Sequence, residues 1–198
     1  MRYLLSRRDD LAYLRSIWAY IGLSVLLFII TIAMGYTAAG SDPELAANWL
    51  NELEMLKWII GLNPVLIMLI IFFKNLLSCV LSAFLGIGLG IMPLIVDTSN
   101  GFLVGIVAYK ITHAQGLIYL LAGILPHGII ELSSVFISSG LGFRLGHTLA
   151  LSILGVKVDL SGEVRRAGHI LAWWIAPLLL LAAAIETFIT PMVISLAS

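Results

Sequence analysis

The chain has 198 residues, of which 61% are hydrophobic and only 11% are charged, and its mean hydropathy is +1.07. Soluble domains carry about 25% charged residues, so this apolar surplus exceeds what one water-soluble core can bury and indicates contact with lipid. The formal net charge is zero, which argues against a nucleic-acid partner. The single cysteine, Cys79, excludes an intramolecular disulfide and a thiolate metal cluster.

The first membrane span is predicted from about Ile17 to Ala39, because roughly 20 apolar residues cross a hydrocarbon core of about 30 Å. Four arginines precede this span and make residues 1–16 a basic arm. By the positive-inside rule the amino terminus should lie in the cytoplasm, and residues 17–198 should form a single membrane domain. The run is longer than the apolar region of a cleavable signal peptide.

An amphipathic helix is predicted over about residues 41–62. It begins at Ser41-Asp42-Pro43-Glu44, a sequence typical of a helix amino terminus. Beyond it, apolar residues recur at every third or fourth position, and Trp49 and Trp58 suit the level of the lipid headgroups. We expect this helix to lie along the outer membrane surface, where it could also cover the bundle or contact a partner.

The next apolar run, from Pro64 to Val96, is too long for one straight span. It is interrupted by Lys74-Asn75 and by a glycine-rich stretch that includes Gly86 and Gly88. One interpretation is a single kinked or tilted helix, and the other is a broken helix whose two parts do not both cross. We favour one crossing with a break, because irregular backbone at membrane depth needs protein or water around it.

A polar turn is predicted at Asp97–Asn100, followed by a short apolar helix from Gly101 to about Ile111. In this helix Gly101 and Gly105 have the spacing that lets two helices approach closely. Further spans are predicted at about 117–141 and 168–196, separated by a basic cytoplasmic loop at about 142–167. Eight of the eleven Lys and Arg residues lie in the arm and this loop, namely Arg2, Arg7, Arg8, Arg15, Arg144, Lys157, Arg165 and Arg166.

These features together predict an all-α, polytopic helix bundle of about five spans, with broken or kinked helices and one outer interfacial helix. The charge asymmetry places the amino terminus inside and the carboxy terminus outside.

Polar residues inside the predicted spans mark the candidate functional site. His127 and Glu131 are four residues apart and therefore share one helix face. Pro126 removes a helical hydrogen bond beside them, and Gly128 leaves room there. An acid in a span costs about 2.5–3.5 kcal/mol on insertion scales, so it should face protein or water. We expect these residues to form one buried polar cluster, made of His127, Glu131, Glu186, Lys74 and Asn75.

Three interpretations of this cluster are open from the residues alone. It can relay protons or ions, it can hold zinc or iron through His127, Glu131 and Glu186, or it can lock the helices by hydrogen bonds. No protease motif is recognisable, so we favour a protein that is not an enzyme. No cofactor is expected apart from such a metal ion.

The sequence resembles the stage II sporulation protein M family over about residues 60–195. The most specific element is Leu125-Pro126-His127-Gly128-Ile129-Ile130-Glu131. The likeness also rests on Phe73-Lys74-Asn75, Phe84-Leu85-Gly86-Ile87-Gly88, Pro93, Asn100-Gly101, Gly140-Leu141-Gly142-Phe143-Arg144-Leu145-Gly146 and Glu186.

The resemblance implies a multi-pass protein of the cell membrane with five spans. In spore-forming bacteria, members of that family are scaffolds that recruit peptidoglycan-degrading proteins during engulfment of the forespore; other members occur in organisms that do not sporulate, archaea included. The resemblance therefore favours a non-enzymatic membrane scaffold or assembly component. The alternative is a small transporter or channel-like component that uses the His/Glu cluster for ion or proton coupling.

The expected partners are the lipid bilayer, a second copy of the chain and other membrane or cell-envelope proteins. The glycine and serine faces favour a homodimer or another homo-oligomer. The helix around Trp49 and the basic segment Lys157–Arg166 are the predicted contact points.

Overall fold

The structure of the chain is a computed structural model that describes residues 7–42, 44, 47 and 61–197. Within these ranges every regular element is a helix. The interfacial helix predicted at about 41–62 falls almost entirely on the remaining residues, and so it lies outside the described part of the chain.

The helices follow one another along the chain with short connections. They are α1 (Arg7–Ser16), α2 (Trp18–Ser41), α3 (Pro64–Leu85), α4 (Ile91–Ala114), α5 (Leu117–Ile153), α6 (Leu160–Ile170), α7 (Ala176–Ala184) and α8 (Thr190–Ala197). Two π-helical turns, Leu171–Ile175 and Ile185–Ile189, join the last three into one long helix, which we call the carboxy-terminal helix.

Five helical stretches in the described residues are long and apolar enough to cross a membrane. They are α2, α3, α4, α5 and the carboxy-terminal helix. The prediction of an all-α, polytopic bundle with about five spans is therefore confirmed.

The second apolar run is divided differently from the prediction. α3 ends at Leu85, residues 86–90 form a tight turn, and α4 begins at Ile91. In that turn Leu89 and Gly90 have positive φ angles of 58° and 79°. The break is thus a connection between two spans and does not interrupt a single one, and the total stays at five because α4 absorbs the short helix predicted from Gly101.

The polar turn predicted at Asp97–Asn100 is wrong, since these residues lie inside α4. Pro93 does not stop the helix because it occupies the first turn, where its missing N–H has no helical partner to lose. Asp97 does not mark the surface either, because it is completely buried and hydrogen-bonded to Ser139.

The stretch predicted as a basic loop at about 142–167 is mostly helical. α5 continues to Ile153 and α6 starts at Leu160, so only residues 154–159 connect them. With 37 residues, α5 is about 55 Å long, well beyond a hydrocarbon core of about 30 Å. Its last turns therefore project past the apolar layer.

α1 is attached to this projecting end of the bundle. Asp10 is buried and accepts a hydrogen bond of 3.0 Å from the indole Nε1 of Trp174. The Tyr13 hydroxyl donates to Glu163, which also forms an ion pair of 2.9 Å with Arg144. Burial, together with Glu163, raises the pKa of Tyr13, so this hydroxyl stays a neutral donor. α1, α5 and the carboxy-terminal helix are thereby held together.

Glycines bring α2 and α4 into backbone contact. A Cβ on Gly35 would overlap the carbonyl oxygen of Phe102, and a Cβ on Gly105 would overlap that of Ile32. Gly101 lies equally close to the Thr31 hydroxyl. The helix that approaches Gly101 and Gly105 thus belongs to the same chain.

A second glycine contact joins the turn after α3 to α5. A Cβ on Gly86 would overlap the backbone of Gly142, and one on Gly146 would overlap the backbone of Gly90. Gly88 has more room, with Leu85 O at 3.3 Å from its hypothetical Cβ. These glycines are used inside one chain, so they give no separate support to the predicted homo-oligomer, which stays a prediction.

We expect Gly35→Ala to destabilise the protein and Gly22→Ala, on the same helix, to leave it unchanged. Extra atoms in a packed interface cost about 1–3 kcal/mol, and the Phe102 backbone cannot move aside as a flexible side chain can. Gly22 is exposed with nothing within 4 Å of its hypothetical Cβ. Thermal unfolding in detergent measures the difference, and equal midpoints for the two variants would contradict this packing.

Candidate functional site: an intramembrane polar cluster

The structure brings His127, Glu131 and Glu186 together. His127 and Glu131 lie on α5, and Glu186 lies in the second π-helical turn of the carboxy-terminal helix. One potential ligand atom from each residue lies within 4.8 Å of those of the other two. All three residues are partly buried. We call these three residues the triad.

The triad lies at the same level on its two helices. His127 is ten residues after the start of α5, and Glu186 is eleven residues before the end of α8. At 1.5 Å per residue, each is about 15 Å from one end of the bundle. Those two helix ends lie on the same side, because successive spans run in opposite directions. An apolar layer of about 30 Å that begins at these helix ends would have the triad near its centre.

Local sequence features shape the two helices at the triad. Pro126 lies inside α5 without ending it and leaves one carbonyl of the preceding turn without its helical donor. Gly128 is buried, and a Cβ there would lie 3.0 Å from Ile124. On the other helix, the π-helical turn Ile185–Ile189 inserts one extra residue per turn, a feature frequent at functional sites.

Thr190 fixes the orientation and the tautomer of His127. The Thr190 hydroxyl lies 3.1 Å from His127 Nδ1 and donates its only hydrogen to the carbonyl of Ile185 at 3.2 Å. With that hydrogen on the Ile185 carbonyl, the hydroxyl accepts from the imidazole, an arrangement that puts the ring hydrogen on Nδ1. His127 Nε2 is left with a free lone pair. Sequence reasoning missed Thr190, although its spacing of four residues from Glu186 was a usable signal.

The two carboxylates of the triad would repel each other if both were ionised. Two ionised carboxylates at 4.8 Å would repel by about 3.5 kcal/mol at an effective dielectric constant of about 20. Lys74, on α3, interacts electrostatically with both Glu131 and Glu186. Its side chain is exposed, whereas the neighbouring Asn75 is buried in the bundle. Of the predicted cluster, Lys74 thus adjoins the triad, and Asn75 lies one position further along α3.

A second buried acid, Asp97, lies nearer the opposite end of the spans. Its Oδ1 accepts a hydrogen bond of 2.6 Å from Ser139, and Ser82 lies 2.9 Å from the Ser139 hydroxyl. Since Ser139 gives its hydrogen to Asp97, Ser82 must donate to Ser139. In the described part of the chain, the Ser24 hydroxyl is buried beside Asp97 and interacts with its carboxylate, although neither this hydroxyl nor Asp97 Oδ2 forms a hydrogen bond of normal geometry.

Sequence reasoning missed Asp97 by assigning it to a turn. The available signal was its spacing, because Asp97, Gly101 and Gly105 repeat every four residues and therefore share one face of α4. That face packs against α2.

Buried polar side chains lie between the triad and Asp97. Cys79 interacts with Ser138 and lies within electrostatic range of both Glu131 and Asp97. Cys79 is part of a stripe of buried polar residues at helical spacing on α3, which meets a second such stripe on α5 where these two helices pack. We call them the polar seam; its buried members are Asn75, Cys79, Ser82, Ser134, Ser138 and Ser139.

Asp97→Asn should keep the midpoint of thermal unfolding close to that of the wild type, whereas Asp97→Leu should lower it clearly. The amide can still accept from Ser139 and can donate to the neighbouring Ser24 hydroxyl. Leucine leaves the Ser139 hydroxyl buried without its acceptor, at about 1–3 kcal/mol for such a loss. A Leu variant as stable as the Asn variant would show that this network does not hold the bundle.

Comparison with known proteins places these residues in a family. The family described as stage II sporulation protein M matches residues 24–191, which include the triad, Lys74, Asp97 and the polar seam. The chain belongs to this family. The resemblance inferred from the Pro126–Glu131 run is confirmed.

Two relatives come from Methanocaldococcus jannaschii, and both are uncharacterized proteins. One is 31% identical over 140 residues, covering 71% of this chain and 61% of the relative. The other is 34% identical over 96 residues, covering 48% of this chain and 54% of the relative. The chain thus spans about half to three fifths of the length of these family members. No solved structure matches the chain.

Proposed function

We propose that this family member is a small membrane transport component that takes a cation into the triad. The observation that carries the proposal is the convergence of His127, Glu131 and Glu186 between two span-like helices. Each ionisable group there costs about 2.5–3.5 kcal/mol on insertion scales. Hydroxyls and amides would lock helices at a lower cost, so a role in binding charge accounts better for two acids beside an imidazole.

The polar seam supports movement of a cation through the bundle. It supplies buried polar groups from the triad towards Asp97, which lies closer to the other end of the spans. Both helices are continuous but depart from regular α-helical hydrogen bonding beside the triad, at Pro126 and at the turn Ile185–Ile189, and transporters also use irregular helices to form their substrate sites. Family membership and five span-like helices support the membrane location.

Glu131→Gln and Glu186→Gln should each reduce cation flux at least tenfold while the protein still folds. The measurement uses proteoliposomes with a trapped pH dye for protons, or a trapped metal-sensitive dye for externally added Zn²⁺ or Mn²⁺. Glu44→Gln, at an exposed position, is the matched control and should transport like the wild type. Wild-type flux equal to that of empty liposomes, or normal flux in both triad variants, would refute the transport function.

A scaffold or assembly role is the second candidate, and an exposed basic surface favours it. Lys157, Arg165 and Arg166 are exposed beside the connection between α5 and α6. We call these three residues the basic patch. The described connections between the spans beyond α3 are short, so a scaffold would recruit its partners through this patch or through lipid-facing helix surfaces, including those of a second copy.

The scaffold function and the transport function predict opposite effects of the same two variants on cellular function, which is measured together with partner recovery in a pull-down. If the protein is a scaffold, replacing the three residues of the basic patch by glutamine should abolish recovery of its membrane partners and its cellular function. Glu131→Gln should then leave both unchanged. The transport function predicts the reverse pattern, with cellular function lost in Glu131→Gln and kept in the patch variant.

A further inference from the structure

We propose that the triad binds a divalent transition-metal ion of the zinc, manganese or ferrous class. The ligands are Nε2 of His127 and the carboxylates of Glu131 and Glu186, with Thr190 as a positioning residue. This inference rests on the proposed function in one respect, since it names the cation that the transport site takes.

The ligand set selects this class of ion. Sodium, magnesium and calcium ions prefer sites made entirely of oxygen atoms, whereas an imidazole nitrogen suits zinc and iron. Three protein ligands with one open position are typical of zinc sites that exchange a water or a substrate, while structural zinc sites are closed by four. An open position is what a transport site needs, because the ion has to enter and leave.

To bind a metal ion, the three ligand atoms would have to move only slightly closer to one another. Bonds of about 2.0–2.1 Å in a tetrahedral site place neighbouring ligand atoms about 3.3 Å apart. One imidazole nitrogen of His127 and one carboxylate oxygen from each glutamate already lie within 4.8 Å of one another. Rotation of the two glutamate side chains can close the remaining gap of about 1.5 Å without moving the helices.

The contact between His127 and Thr190 supports the metal site independently of the two glutamates. A histidine ligand almost always donates its second ring N–H to a fixed acceptor, which orients the ring and frees the other nitrogen for the metal. Here the acceptor is the buried Thr190 hydroxyl, which in turn is held by the Ile185 carbonyl of the π-helical turn. The same turn carries Glu186, so one local distortion positions a ligand and the support of another.

Substitution of Lys74 should raise the affinity for metal, whereas substitution of a ligand should lower it. Its ammonium group is the cation that acts on both glutamates when no metal is bound. A divalent ion has to enter against this charge. Removal of the charge in Lys74→Gln should therefore tighten metal binding, whereas a purely structural triad gives no such gain.

The test is equilibrium binding of Zn²⁺ and Mn²⁺ to the purified full chain in detergent, by calorimetry and by elemental analysis after dialysis. The wild type should bind one ion per chain. His127→Ala, Glu131→Gln and Glu186→Gln should each weaken binding at least 100-fold. Thr190→Val should weaken it about 10–100-fold, and Thr190→Ser should restore it.

Matched controls lie at the end of α4, outside the triad. His113→Ala removes an imidazole whose Nδ1 lies 2.8 Å from the Tyr109 carbonyl, and Thr112→Val removes a hydroxyl bonded to the carbonyl of Ala108. Both variants should bind metal like the wild type. Gel filtration and unfolding midpoints verify that each triad variant is folded, and Lys74→Gln provides a gain of affinity that misfolding cannot mimic.

The outcomes separate this inference from the transport function. No stoichiometric metal in the wild type, or binding that survives all three triad substitutions, overturns the metal site. Proton flux that is lost in Glu131→Gln without any metal binding also overturns it, but leaves transport standing. Stoichiometric binding without flux supports the metal site and refutes transport.

Discussion

The cost of ionisable side chains at membrane depth is the constraint on which this structure depends. A carboxyl or imidazole group there has to meet a polar partner inside the protein or in a wet cavity. His127 meets Thr190, and Asp97 meets Ser139. The first contact ties α5 to the carboxy-terminal helix, and the second ties α4 to α5. The polar pairs therefore determine which helices are neighbours in the centre of the bundle.

Close backbone packing makes these polar contacts possible. The hydrophobic effect does not drive helices together inside lipid, so small residues that permit close approach take over that role. Gly35 and Gly101 bring α4 against α2, and Gly142 brings α5 against the turn that follows α3. The glycines and the buried acids thus act together, since Asp97 shares its helix face with Gly101.

Much of this fold could be predicted because the signals were local. Apolar length predicts spans, and a spacing of four residues predicts that His127 and Glu131 share a face. Glu186 could be assigned to the same cluster because an acid in a span has to find polar neighbours. The family likeness came from the same short run around Pro126.

The features that could not be predicted depend on distant contacts. The burial of Asp97 depends on Ser139, which is 42 residues away, so a polar run in α4 looked like a turn. The glycines of residues 86–90 favour a kink and a turn equally, and the contact between Gly86 and Gly142 distinguishes the two. The role of Thr190 depends on a π-helical turn, which no short sequence pattern identifies.

Glu131 and Glu186 share one partly buried site, and a double-mutant cycle tests this most directly. The free energies of unfolding of Glu131→Gln, Glu186→Gln and the double variant are compared with that of the wild type. Because either substitution relieves the same repulsion, the account predicts a coupling energy of at least about 1 kcal/mol between the two sites. Additive effects, within about 0.5 kcal/mol, would show that the two side chains do not interact and would contradict the account.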